Sequence, residues 1–336
     1  MAILITELRL AAYCLFLFAP CFGQPTAAEK WIEAGHWKRA RADVEARIRQ
    51  APDDPLANFL LSQIRAAFGD RATPLRLAEK AAAFDGRTAK YHRQVAEATG
   101  VTAQHSNAFQ QLILARRFRK EIDMALALDP HDVQANRDLL EFYLLAPGIA
   151  GGSRREAEAV AGRIAAIDAP EGFLAKARLA AYDKSTAQAE AMLRAATEAQ
   201  PPSYRAHIAL AEFYLTPEHS NVKAAAAAAQ EAMRLDVGRS DGYAVLAGLY
   251  AGQGAWRELD ELLAAAARNV PDDRYPEYRA AQRLIATAQN LDLAQNLLHD
   301  YLAQEAEGNR PTAADAAQLL KSIRAGRPHP TAEVYR

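Results

Sequence analysis

The ends of successive helical segments recur along this chain at a nearly constant interval. Turn-forming pairs at Ala51-Pro52, Asp85-Gly86, Asp129-Pro130, Asp168-Ala169, Gln200-Pro201, Asp236-Val237 and Val270-Pro271 are separated by 34, 44, 39, 32, 36 and 34 residues. A period of this length marks stacked supersecondary units. A single helical hairpin cannot bury its own apolar stripes, whereas a stack of hairpins can. Two segments are near copies, "LLEFYLLAP" at 139–147 and "LAEFYLTP" at 210–217, and each ends at a proline.

Within each period the apolar residues fall three and four apart, so they share one helix face. In 240–273, Tyr243, Leu246, Ala247 and Tyr250 precede Gly254, and Leu259, Leu263 and Ala266 lead to Pro271. In 204–237, His207, Leu210, Ala211 and Tyr214 precede Ala225, Ala229 and Ala232. The 133–169 unit carries Asn136, Leu139, Leu140 and Tyr143, then Ala157, Ala161 and Ile164. In 170–203 the series is Phe173, Ala177 and Ala180, then Ala189, Leu193, Ala196 and Pro201. The first unit keeps Gly35, Trp37, Ala40, Val44 and Pro52. Small residues such as Ala40, Ala211 and Ala247 allow the two helices of a pair to approach closely.

This pattern resembles the tetratricopeptide repeat (TPR), whose helix–turn–helix unit reads W-x2-L-G-x2-Y, then A-x3-F, then P. The resemblance spans roughly residues 26–305 and implies an all-α solenoid of about seven to eight hairpins over 24–310. Two units depart from it. The 85–129 interval is 44 residues rather than 34, with the excess around "TGVTAQHSNA" (99–108), which predicts longer helices or a loop. The 274–305 unit lacks the Trp/Tyr signature. Beyond it, 311–326 reads as a capping helix with Thr312 at its start, Asp315 in its first turn and Gly326 as its stop, and 327–336 reads as a flexible tail.

The first residues differ in character. An apolar run at 10–22 follows Arg9 and is too short for a membrane span. Cys21 and Gly23 place small residues where a signal peptidase cleaves, so residues 1–23 read as a secretory signal peptide. Lipoprotein processing at Cys21 is the competing expectation, disfavoured by Pro20. Both cysteines, Cys14 and Cys21, fall inside this segment, so the expected mature chain has no thiol chemistry. The expected location is therefore periplasmic or extracellular, with no membrane span in the mature chain.

The charge balance is 40 basic against 41 acidic side chains, which offers no electrostatic footprint for nucleic acid. Scattered histidines without an H-E-x-x-H pair give no metal site, and no cofactor is implied. Asp53-Asp54 and Asp272-Asp273 flank prolines at repeat boundaries, where Asp serves turns and helix starts rather than acid–base chemistry. No serine lies in a G-x-S-x-G elbow.

One stretch, "LLAPGIAGGSRREAE" (144–158), has the glycine content of a phosphate loop. It lacks the P-loop lysine, the G-x-G-x-x-G spacing and a preceding strand. Ser153 and Glu156 have the spacing of a capping box, which would place a carboxylate at the positive end of the next helix. The stretch also resembles the "PGxxGG" insertions of some bacterial exported TPR proteins, a mark without assigned chemistry. The expectation is an elongated turn, with Ile149, Arg154 and Arg155 as contact residues if it meets a partner.

The TPR resemblance implies peptide binding on the concave surface lined by first helices. The matching positions are Phe59 and Gln63; Arg137, Glu141 and Leu144; Leu174 and Arg178; Ile208 and Glu212; and Ala244 and Gly248. Glu141 and Glu212 stand where a carboxylate-gripping asparagine would fall, so a clamp on a C-terminal carboxylate is not expected. The functional expectation is a non-enzymatic scaffold or adaptor of the cell envelope that binds a protein or peptide through this groove. Two alternatives stay open: a small-anion or glycan-phosphate site near 147–155, and a self-associating homo-oligomeric module.

Overall fold

A computed structural model describes residues 25–324 of the chain. The expected signal peptide, the stop at Gly326 and the tail lie outside those residues. Among the described residues the regular structure is helical, with seventeen α-helices. The first four hairpins are α1 (Ala27–Ala34) with α2 (Trp37–Gln50), α3 (Pro55–Ala67) with α4 (Pro74–Phe84), α5 (Ala89–Gln104) with α6 (Ala108–Leu128), and α7 (Val133–Leu145) with α8 (Arg154–Ile167). The next four are α9 (Ala169–Tyr182) with α10 (Thr186–Glu198), α11 (Tyr204–Phe213) with α12 (Val222–Leu235), α13 (Asp241–Gln253) with α14 (Trp256–Asn269), and α15 (Tyr275–Ala286) with α16 (Leu291–Leu302). A last helix, α17 (Ala313–Arg324), packs on α15 and α16. From α2 to α14, each second helix ends within two residues of a periodic marker, so the period is the hairpin repeat of an α-α superhelix.

Local chemistry fixes these boundaries. Asp54 caps α3 through the Ala57 N–H while Pro55 fills the first helical position, where a missing N–H costs nothing. Asp132, Asn107, Ser203 and Asn221 cap their helices the same way. Asp168 both ends α8 and caps α9, its carboxylate accepting from Glu171 N–H at 2.8 Å. Buried Asn58 and Asn136 lock the preceding turns identically. Each side-chain amide donates to two carbonyls, of Pro52 and Asp54 in one unit and of Pro130 and Asp132 in the other.

The core runs along the stack as alternating large and small side chains. Ala40, Ala211 and Ala247 are fully buried, as are Leu246, Leu259 and Leu284. Gly172 takes this furthest: a Cβ there would sit 2.3 Å from Ala165 Cα, so α8 and α9 meet backbone to backbone.

The extra residues of the 85–129 interval lengthen both helices of one hairpin, to 16 residues in α5 and 21 in α6. Gly100 lies where an added Cβ would touch the Phe118 ring at 3.4 Å, which keeps the two long helices close.

The superhelix also returns to its own start. Lys38 N–H at the beginning of α2 donates to the Glu307 carboxylate at 2.9 Å, across 269 residues of sequence. Lys38 Nζ reaches the backbone oxygens of Asp272 and Glu305, and Arg41 pairs with Glu305. Asn309 N–H donates to the Ala67 carbonyl at 2.7 Å. Gly308 sits so close to Trp37 that a Cβ would approach its Cγ to 2.7 Å. The linker between α16 and α17 therefore latches the first hairpins to the last.

Candidate functional site

The concave surface carries the residues expected there, in several different environments. Phe59 is buried beneath Tyr91, with the Lys90 ammonium 5.4 Å from its ring. Leu144 and Leu174 are also buried. Ala244 of α13 is covered where α15 packs across it, and Gly248 is half-buried beside α15. Gln63 lines a recess of about 250 Å³. Arg178 grips Glu141 with two hydrogen bonds of 2.8 and 2.9 Å, joining α9 to α7. Arg137 lies 3.8 Å from Glu171, which also binds Arg205. Such half-exposed pairs contribute about 0–1 kcal/mol each, so their main effect is to fix the surface rather than to stabilise it.

Further along, the same face opens into a recess of about 710 Å³ between α9, α11 and α15. Its floor includes Leu174, Leu193 and Phe213, and Arg178, Arg205 and Glu212 stand among them. Glu212 is open to water yet flanked by protein. Burial, with the Asp241 charge second, raises its pKa against the pull of Arg279 and Arg310. Ile208 is half-buried on α11 and does not line the recess.

A second cleft lies elsewhere, at the edge where the long hairpin meets α7. Its volume is about 780 Å³. Val101 of α5, Leu112 and Phe118 of α6, Phe142 and Leu145 of α7, and Ile149 of the following loop form its walls. Ile149 is 79% exposed and Leu145 67%, unusual for side chains of this size in water. Three acidic residues line it, Glu97, Asp138 and Glu141, of which Glu97 pairs with Arg93 and Glu141 with Arg178. Asp138 Oδ1 accepts from Gln134 at 2.9 Å, and its buried carboxyl also lies against the Glu97 carboxyl. Burial pushes the Asp138 carboxyl well above the usual carboxylate range, and the Glu97 charge adds to this against the pull of Arg93.

The glycine-rich stretch closes one side of this cleft. Pro147 ends α7, a single 3-10 turn spans Gly148–Ala150, and Gly151 is left-handed at φ 104°. The backbone N–H groups that a phosphate would need are already used. Ala150 donates to Pro147, Gly151 to Gly148, Gly152 to Pro147 and Ser153 to Tyr143. The Ser153 side chain caps α8 through Glu156 N–H. The reciprocal half of the capping box does not form, because the Ser153 N–H is held by Tyr143 at 2.8 Å and the Glu156 carboxylate turns to Arg155. Arg154 makes a forked contact with Asp183 on the next hairpin, leaving Arg155 as the more exposed of the two arginines.

Sequence reasoning missed both the cleft and the latch. The two longest intervals, of 44 and 39 residues, were the available signal for the cleft, since its walls are the lengthened α5 and α6 and the 147–152 insertion.

No protein-family model and no curated protein matches this chain at the level of sequence. Solved structures do match in fold. A thermophilic TPR protein from Thermus thermophilus superposes on 56% of this chain and 96% of its own, with TM-score 0.50 at 19% identity. Yeast Tom70 superposes on 96% of this chain and 66% of its own, with TM-score 0.55 at 15% identity. The fold is that of a TPR-like solenoid. At these identities the likeness concerns the TPR-like architecture alone.

Proposed function

We propose that this chain is a non-enzymatic scaffold that binds a peptide segment of a partner protein on the inner face of its TPR-like superhelix. The observation that carries this reading is the recess between α9, α11 and α15. It sets an apolar floor, with Leu193 and Phe213, among charges of both signs, Arg205 and Glu212. Such a surface suits an extended or helical segment with alternating apolar and charged side chains. The ion pairs that fix Arg178 and Arg205 hold the recess in shape, which lowers the ordering cost of binding. The proposed setting is the cell envelope, on the strength of the signal-like residues 1–23.

A photo-crosslinking amino acid at Ala209, on the recess wall, tests this in cells carrying the tagged chain. The expected result is one dominant protein adduct at Ala209 and none at Ala187, exposed on α10. Equal labelling at both positions, or none at Ala209, would refute the reading.

A further inference from the structure

Building on the peptide-binding role given to the inner face, we propose that a pocket between α13 and α15 takes one acidic side chain of the bound segment together with a neighbouring large apolar one.

The pocket adjoins the α9–α15 recess. Its volume is about 400 Å³, and it is built from Val245, Gly248 and Leu249 of α13 and Arg279 and Arg283 of α15, with the 215–220 turn along one side. Arg279 lines both cavities, and the turn stands between them. Thr216 and His219 line the recess, while Leu215 and Pro217 line the pocket. A segment lying in the recess can therefore continue past Arg279 into the pocket.

Two observations define the occupant. The first is charge. Arg279 and Arg283 lie one turn apart on α15, and no aspartate or glutamate lines the pocket with them. Two cations at this spacing on a helix repel each other. Arg279 has Gln282 and the Tyr275 ring as neighbours. Arg283 is exposed and makes no ion pair or side-chain hydrogen bond among the described residues. Its stem lies against α13 at Gly252, where a Cβ would come within 2.6 Å of the Arg283 Nε, so α13 fixes the stem beside the pocket. A carboxylate entering here gains a charge-assisted contact that no side chain of the lining supplies.

The second is an unfilled position on the apolar wall. Gly248 stands between Val245 and Leu249, and a Cβ there would meet only the Arg279 carbonyl oxygen, at 3.8 Å. Gly242 and Gly252 on the same helix differ, because a Cβ at either would lie 2.6 Å from Met233 Cγ or Arg283 Nε. Glycine inside a helix destabilises it relative to alanine, so at position 248 neither packing nor backbone conformation calls for one. Leaving the side chain out keeps apolar depth open for a guest. The guest is thus apolar beside its acid, and continuity with the recess selects a peptide over a free amphiphile carrying the same groups.

The test is selection of random peptides displayed on phage against the purified full chain, followed by calorimetry with the selected peptides. The expected peptides carry an aspartate or glutamate near a leucine, isoleucine or phenylalanine. Arg283→Glu should weaken them about tenfold or more. The same peptide with lysine in place of its acid should bind that variant better than it binds the parent chain. Gly248→Leu should abolish binding by filling the pocket, while its thermal melt stays level or rises, because the helix has room for a Cβ there. General loosening of the groove would give neither the charge exchange nor the retained melt.

Selected peptides that lack an acid, or binding that ignores either Arg283→Glu or Gly248→Leu, would overturn the proposal. Binding lost on amidation of the peptide C-terminus would also do so, since the contact would then be to a chain end. Laurate that binds the parent but not Gly248→Leu, with no peptide selected, would make a free amphiphile the occupant. Peptide binding that appears only after removal of residues 325–336 would assign the pocket to the chain's own C-terminal segment. Peptides sensitive to Phe213→Glu but to neither pocket variant would refute the pocket and leave the proposed function intact.

Discussion

Replacing Arg310 with methionine should unlatch the superhelix. The Arg310 guanidinium holds Asp241 at 2.8 Å, Asp273 at 3.0 Å and Ser240 Oγ at 2.7 Å, and stacks 4.4 Å over Tyr275. Asp273 is 5% exposed and Ser240 4%, so neither finds replacement water easily when the cation goes. Removing one partner of a buried pair costs about 3–5 kcal/mol, whereas replacing both partners with groups of matched volume costs far less. Arg310→Met should therefore lose about 3–5 kcal/mol, and Arg310→Met with Asp273→Asn should recover roughly half of it. The loss should be local. Hydrogen exchange read by mass spectrometry should show protection falling in 303–312 and 36–41, where Asn309 and Lys38 donate across the closure, and unchanged in α7–α9. Trp37, packed against Gly308, gives an independent fluorescence signal of the same opening. If the single variant exchanges like the parent, or the double variant is as weak as the single, the closure does not rest on this buried cation.

Other outcomes follow from the same contacts. Burial raises the Glu307 pKa to about 7 despite the Lys38 N–H and ammonium, and the neighbouring Asp273 and Asp272 charges add to the rise. A carboxyl whose folded value lies above its ordinary 4.5 is stabilising when protonated. That contribution is complete below about pH 4.5 and lost as pH rises through about 7. The chain should accordingly lose closure stability across that window in thermal melts, and Glu307→Gln should flatten the slope. Gly152→Ala should disrupt the cleft wall, because its Cβ would lie 1.8 Å from the Ala146 oxygen, while Gly148→Ala meets nothing within 4 Å and should leave the melt within about 0.5 kcal/mol of the parent. Asn136→Leu should cost about 2–3 kcal/mol in urea denaturation, since it leaves the Pro130 carbonyl and the Arg163 contact without their partner.

The repeat was legible in the sequence because its determinants are local. Asp168 ends one helix and caps the next within a few residues, and Ala211 or Ala247 shows its packing role by spacing alone. The positions facing the groove were legible only in part. Helical phase places Arg178 and Glu141 on first helices, but not that they bind each other, since that depends on the offset between α7 and α9. Phe59 and Ala244 follow the same phase and still end up covered, by Tyr91 and by α15. The latch had no local signature at all. "EGNRP" (307–311) reads as a polar linker, and its meaning comes from α2 and the α14–α15 turn arriving beside it after eight hairpins.

The closure and the cleft are linked by the same geometry. In an open solenoid a hairpin of irregular length changes only its own neighbourhood, because each repeat contacts only adjacent ones. In a latched superhelix the curvature must bring Glu307 back to Lys38, so the α5–α6 hairpin cannot absorb its extra residues by tilting the whole array. The excess lengthens α5 and α6 themselves, to 16 and 21 residues. Their apolar residues at Val101, Phe109 and Ile113 remain exposed. The 147–152 insertion covers part of that surface and turns the rest into a cleft. On this reasoning Arg310→Met should alter the shape of a cleft it does not touch. A pair of fluorophores across the cleft at Val101 and Ile149 reads that change, and an unchanged separation in the variant would show that hairpin length alone sets the cleft.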